Sequence, residues 1–303
     1  MEQLWGPPTL AVVLSEFGRD AALRFCATLA DHERQRISDR VQGRFFDEYR
    51  RLTLAVVGDL PYVKGPVLES FRTHRTPLDE HVLVGFPGGV PLEAVVPRLG
   101  LLALEAMRGP LSRGVDHVQV LLPCNTLAWA SWSLARSFQS AEGLMTMLGH
   151  ALPDHPALRD ELRRDVAPLL AHASLQFPTV PEAVIQFAGQ VGAEALMPLG
   201  TIGICDTYRR AIERRSSRLQ LIPPDDEGQQ VVLQAIQSAI EGKTEARHTA
   251  RSALEGMVAR AQREHGDGLI VVEACTDLDY RVGLHSSTAY AAAVVDAIYG
   301  MPG

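Results

Sequence analysis

Val115-Asp116-His117-Val118-Gln119-Val120-Leu121-Leu122-Pro123-Cys124-Asn125-Thr126-Leu127 and Gly266-Asp267-Gly268-Leu269-Ile270-Val271-Val272-Glu273-Ala274-Cys275-Thr276-Asp277-Leu278 are two stretches of one chain that align on their cysteines. Asp, an aliphatic run, Cys and Leu coincide in the two copies. Val118-Gln119-Val120-Leu121-Leu122 and Leu269-Ile270-Val271-Val272 have strand length and nearly continuous apolar character, the pattern of strands covered on both faces. A weaker echo lies upstream of each. Leu14-Ser15-Glu16-Phe17-Gly18 matches Leu196-Met197-Pro198-Leu199-Gly200, each a strand leading to a glycine and then a helix. The distance from glycine to cysteine differs between the copies, so a duplication has been padded unequally. Two similar α/β halves, each presenting a cysteine at the end of a strand, is the economical reading.

Outside these stretches, short aliphatic runs alternate with longer amphipathic ones. Leu10-Ala11-Val12-Val13-Leu14, Leu54-Ala55-Val56-Val57 and Ala195-Leu196-Met197 read as further buried strands. Helical periodicity is clearest over 20–37, 206–215, 227–241, 244–264 and 287–299, with Asp206 and Ser287 at the positions of N-caps. Strands alternating with helices predict βαβ units, hence an α/β class with parallel-rich sheets flanked by helices in two pseudo-symmetric domains. The expected first domain is 1–129 plus about 279–303, and the second is about 179–278. The stretch 130–178, bounded by Pro153-Asp154-His155-Pro156 and Phe177-Pro178, shows no strand signal and reads as a helical insertion, a lid or an oligomer contact.

Composition removes several function classes. The 303 residues are 46% hydrophobic and 21% charged, a globular profile with substantial cores, and this length favours two domains over one. A formal net charge of -7 argues against nucleic acid as a partner. Met1 to Pro8 holds no basic stretch followed by a long apolar core, and no apolar run approaches the roughly 20 residues that span a bilayer. A cytoplasmic protein without a membrane partner is expected. Four cysteines at wide, irregular spacing make neither a disulfide framework nor a zinc site, so no metal is expected.

Ligands of open parallel sheets bind beyond the carboxyl ends of the strands, where loops lead into helix N-termini. Cys124 and Cys275 both fall there, so two facing halves bring both thiols to one cleft at the domain interface. A helix N-terminus can lower a thiol pKa from about 8.5 into the range of roughly 3.5–7.5, which supplies a thiolate base near neutral pH. Inverting a stereocentre by proton removal and return needs a base on one face of the carbon and an acid on the other. Running in both directions requires them to exchange roles, which two residues of one type do naturally. Asn125, Thr126 and Thr276 supply short donors for a substrate carboxylate on which charge develops. No Gly-rich phosphate cradle is present, and no cofactor is called for.

Pro123-Cys124-Asn125-Thr126 and Glu273-Ala274-Cys275-Thr276-Asp277-Leu278 resemble the two signature motifs of the aspartate/glutamate racemase superfamily, of the P-C-N-T and G/A-C-T-E-L types. Gly200-Thr201-Ile202, followed by Tyr208, is similar to its central G-T-x-x-S-G-x-Y segment. The resemblance spans most of the chain as ordered landmarks. It implies two pseudo-symmetric α/β domains, a site between them and cofactor-independent racemisation, with Cys124 and Cys275 as catalytic pair and Asn125, Thr126, Thr276 and Thr201 on the substrate. The family's N-terminal G-G-M-G-P loop reads here as Ser15-Glu16-Phe17-Gly18-Arg19, which keeps only Gly18 and adds Glu16 as a candidate ammonium partner. His74-Arg75-Thr76 matches a D-R-T loop loosely and makes Arg75 the candidate for a substrate carboxylate. The central segment has Ile204-Cys205 in place of Ser-Gly.

The leading expectation is a racemase of an amino acid, of aspartate or glutamate type, acting without pyridoxal phosphate. The alternative keeps the superfamily and changes the carbanion chemistry to that of an isomerase, a decarboxylase or a biosynthetic tailoring enzyme. A non-catalytic amino-acid or protein binder is the third reading. The expected partner is a small carboxylate-bearing molecule, with a homodimer left open. Cys26 and Cys205 read as buried apolar residues, His248 and His285 as surface or capping residues, and Trp129 and Trp132 as core.

Overall fold

In a computed structural model of the chain, the residues described are 7–14, 19–41, 51–57, 92–201, 203–242, 244–275 and 278–300. The first half contains β1 (Thr9–Leu14), α1 (Arg19–Val41), β2 (Leu52–Val57), α2 (Leu92–Ser112) and β3 (His117–Leu121). A 3-10 turn (Asn125–Leu127) then leads into α3 (Ala128–Phe138), α4 (Ala141–Ala151), α5 (Pro156–Leu170) and β4 (Ser174–Gln176). The second half contains α6 (Val180–Gln190), β5 (Ala195–Leu199), α7 (Ile204–Arg214), β6 (Gln220–Leu221), α8 (Asp226–Glu241), α9 (Thr244–His265), β7 (Leu269–Glu273) and β8 (Leu284–His285). α10 (Ser286–Tyr299) closes the described chain.

The strands form two four-stranded sheets, ordered β2-β1-β3-β4 and β6-β5-β7-β8, with parallel pairing throughout. The two orders are the same when β1 is matched to β5, β2 to β6, β3 to β7 and β4 to β8. The internal echo of the sequence is thus an echo of topology, and each cysteine of the aligned pair follows the third strand of its half. This is the expected α/β class with parallel sheets flanked by helices.

Period-2 alternation of the strands sorts the core into layers. On β1, Leu10, Val12 and Leu14 face the cluster that includes Leu99 and Met107 of α2 and Leu134 of α3, while Ala11 and Val13 face Phe25 and Leu29 of α1 and Val294 of α10. On β5, Ala195, Met197 and Leu199 meet α8 and α9, and Leu196 meets Tyr208 and Ala211 of α7. With cover on both faces, β1 and β5 are buried at every position, which is why their sequences read as continuous apolar runs. α6 carries residues of both halves' cores: Val180 and Ala183 join the α1–α10 layer, and Val184, Ile185 and Ala188 join the α7 layer.

Several boundaries differ from the sequence reading. The stretch 130–178 holds most of α3, all of α4 and α5, and also β4, which pairs with β3 through Ser174, Leu175 and Gln176. A three-residue strand is too short for periodicity to register. β8 pairs with β7, so the second sheet extends past the expected boundary near 279 to His285. The N-cap of α7 is Gly203, not Asp206, because the Ile204 amide already donates to the Thr201 carbonyl at 2.9 Å. The N-cap of α10 is His285, not Ser287. No helix among the described residues is long and apolar enough to cross a membrane.

Candidate active site

β3 delivers Cys124 to the head of a helix. The Cys124 amide donates to the Leu122 carbonyl at 2.8 Å, its carbonyl accepts from the Leu127 amide at 3.2 Å, and its backbone is extended at φ -137 and ψ 124. It therefore caps the 3-10 turn that runs into α3, where leading N–H groups have no partner within the helix. The thiol is half-buried against Leu-rich core.

β7 delivers Cys275 to a different surrounding. The Ala274 amide donates to the Leu199 carbonyl at 2.8 Å and the Cys275 carbonyl accepts from the Leu278 amide at 3.0 Å, a turn at the strand end. Among the described residues no helix begins directly after Cys275; the chain reaches β8 first and α10 after it. Strand-end placement thus holds for both thiols, and helix-terminus placement for Cys124. Cys275 is also half-buried, against the α8–α9 core.

Glu273, two residues before Cys275, organises the segment beyond it. Its buried Oε1 accepts from the amides of Tyr280 at 3.2 Å and Val282 at 2.9 Å. Burial lifts this carboxyl above its ordinary range, and the backbone N–H bonds oppose the lift. Burial also lowers the His285 imidazole, with Asp279 and a hydrogen bond to the Leu278 backbone acting against it.

The carboxyl ends of the two sheets meet through side chains. Tyr208, on α7 beyond β5, donates its hydroxyl to Oδ1 of Asn125 at 2.9 Å, and Nδ2 of Asn125 donates to Oγ of Ser286 at 2.9 Å. The three residues are 0, 2 and 0% exposed. Asn125 follows Cys124 directly, so residues beyond β3, β5 and β8 converge beside that thiol. The two bonds engage both ends of the Asn125 amide and use half of its capacity.

Thr201 lies two residues beyond the end of β5, directly after the point where Gly200 nears the chain that leads into Cys275. A Cβ on Gly200 would lie 3.2 Å from the Ala274 carbonyl, a close approach that the glycine permits, and Gln229 Nε2 donates to the Gly200 carbonyl at 3.0 Å. Thr201 is 5% exposed, and its Oγ1 is buried with no hydrogen-bond partner among the described residues. A buried hydroxyl so placed costs free energy until it finds a partner. Glu16, Gly18, Arg75 and Thr276 lie outside the described residues, as does the side chain of Thr126.

No protein-family model and no curated protein matches this chain. Solved structures do. A candidate Asp/Glu racemase from Yersinia pestis aligns over 96% of this chain and 98% of its own, with TM-score 0.52 and 13% identity. The chain has the fold of the Asp/Glu racemases. The aspartate racemase of Picrophilus torridus aligns over 96% of this chain and 94% of its own at TM-score 0.48 and 13% identity. The glutamate racemase of Francisella tularensis, in complex with D-glutamate, aligns over 97% and 81% at TM-score 0.40 and 10% identity. In this racemase fold the two sheets of like order are the two domains that the sequence echo led us to expect.

Sequence reading singled out the thiols, Asn125 and Thr201. It gave no role to Ser286 or Glu273, and Tyr208 entered only as a landmark. The Asn125–Ser286 contact spans 161 residues of chain, a pairing that no local pattern carries.

Proposed function

We propose that the chain is a racemase of an amino acid, in which Cys124 and Cys275 act as the opposed acid and base. The observation that carries this is the equivalence of the two thiols. Each ends the third strand of a sheet of the same order, and the carboxyl ends of both sheets meet at Asn125 and Tyr208. One thiol, as thiolate, takes the α-proton; the other, as thiol, returns a proton to the opposite face, leaving the enzyme with the proton pattern reversed. The reverse reaction starts from that state. Charge passing through the carboxylate is met by donors around it, and the buried Thr201 hydroxyl is one such donor. Thr276, Asn125 and Thr126 are assigned to the same carboxylate, Arg75 to the side-chain carboxylate and Glu16 to the ammonium group. Gly18 is assigned to the close approach of backbone to substrate. An acidic amino acid is the favoured substrate, from the resemblance of the cysteine motifs, and no cofactor takes part.

The test is exchange of the α-hydrogen in deuterium oxide across L- and D-amino acids, followed by chiral analysis. Wild type is expected to exchange and racemise an acidic amino acid, and Cys124→Ser and Cys275→Ser are each expected to lose racemisation. Full racemisation by either single variant sinks the two-thiol assignment. Release of carbon dioxide in place of exchange sinks racemisation itself.

A further inference from the structure

We propose that Tyr208, on the half that carries Cys275, is a positioning residue for Cys124: through Asn125 it fixes the turn on which the opposite thiol is mounted. The proposal deepens the two-thiol reading and rests on it for its catalytic consequence. Two-base proton transfer needs the thiols at a fixed separation on opposite faces of one carbon, and misplacement of the order of 1 Å costs about a hundredfold. Here the thiols belong to different sheets with separate cores, so their relative position depends on contacts between the halves.

The Tyr208–Asn125 bond is such a contact, and its placement is specific. Asn125 is the first residue of the 3-10 turn that Cys124 caps, so the amide side chain and the thiol are attached to adjacent Cα atoms. Tyr208 has its ring fully buried between Leu196, Ile204 and Ala211 of its own half, which leaves the hydroxyl little freedom to follow a moving partner. Ser286 holds the other end of the same amide from the first turn of α10, whose far end is anchored on α1 by Arg36 with Asp296 and by Tyr299 with Glu33. Asn125 is thereby clamped between a helix of the Cys275 half and a helix that packs on the Cys124 half. Burial keeps the Tyr208 phenol protonated, so the donor is present across the working pH range.

The test reads thiol chemistry directly. Tyr208→Phe keeps the ring and removes only the donor. Alkylation by iodoacetamide, resolved by mass spectrometry at each cysteine, gives the ratio of the Cys124 rate to the Cys275 rate in one sample. In Tyr208→Phe the ratio is expected to fall by about fivefold, the scale of one neutral buried hydrogen bond. Ser286→Ala, which leaves Tyr208 intact, is expected to lower it in the same direction, and the double variant by less than the product of the two because both act on one amide. Ser140→Ala, which removes the side-chain cap of α4 and touches neither arm of the Asn125 clamp, is expected to leave the ratio unchanged.

A ratio unchanged or raised in both Tyr208→Phe and Ser286→Ala overturns the proposal, as does an equal fall in Ser140→Ala, which would signal general loosening. In the exchange assay the same variants are expected to lose kcat with KM held. A wild type that exchanges no α-hydrogen refutes the racemase reading, and the thiol ratio still decides the positioning role by itself.

Discussion

At the residue scale the four thiols are not equivalent. Cys124 and Cys275 end strands, whereas Cys26 packs into the α1–α10 core and Cys205 sits at the start of α7. Burial raises the Cys26 thiol. The same effect, with Asp206 adding to it, pushes Cys205 up to about 11. At pH 8 such a thiol is thiolate in about one molecule in a thousand. Cys205→Ala is therefore expected to leave α-hydrogen exchange within about twofold of wild type, and Cys205 to alkylate more slowly than Cys124 and Cys275. Glu273 offers a pH test. A carboxyl whose folded-state pKa is raised binds its proton more tightly when folded. Its stabilisation is full below the unfolded pKa and is lost as pH rises through the folded one. Glu273→Gln keeps an oxygen for the Tyr280 and Val282 amides and removes the charge. Relative to wild type, its stability is expected to gain as pH climbs above about 4.5, the ordinary carboxyl range, as followed by urea unfolding. Glu273→Ala, which strands both amides, is expected to cost on the order of 2–4 kcal/mol.

At the scale of elements, short strands and caps depend on close contacts. A Cβ on Gly283 would lie 2.5 Å from the Val271 carbonyl, in the backbone of β7. Gly283→Ala is expected to push β8 off β7 and to cost about 1–3 kcal/mol, seen as a lowered Tm by calorimetry. α8 begins at the Asp225 cap, whose carboxylate accepts from the Gly228 amide at 2.7 Å. α6 begins at the Thr179 cap, whose hydroxyl accepts from the Glu182 amide at 3.4 Å and donates to the Glu182 carboxylate at 2.8 Å. Such signals are local, and α8 was legible before the fold was known. α2 was not, because Pro97 and Pro110 lie inside it and interrupt the pattern; α6 was not either, although Thr179 and Pro181 at its start are residues that favour a helix N-terminus.

At the scale of the molecule, a second tie joins the halves on the outside. Glu182 of α6 accepts from the Trp132 indole at 3.1 Å and from Arg214 Nε at 3.5 Å, and the Arg214 guanidinium lies 4.9 Å over the Trp132 ring. α3 of one half, α7 of the other and the helix between them meet there. Arg214 is 54% exposed and Glu182 18%. Arg214→Ala is thus expected to cost under about 1 kcal/mol and less in high salt. Glu182→Ala, which loses the acceptor for Trp132, Arg214 and the Thr179 hydroxyl, is expected to cost about 1–3 kcal/mol by urea unfolding. α7 carries both ties, Tyr208 inside and Arg214 outside, six residues apart in one helix.

Sequence alone determined the two-fold plan of strands and helices, the parallel class and the cysteine at the end of each matched strand. These follow from periodicity and composition, which record whether a face is buried. They do not record against what. The pairing of β4 and β8, strands of three and two residues, exists because a longer edge strand waits beside each. The engagement of Asn125 by Tyr208 and Ser286 spans 83 and 161 residues of chain. Only the folded chain, by bringing the carboxyl ends of both sheets to one place, decided that the residue next to one thiol is held from the half that carries the other.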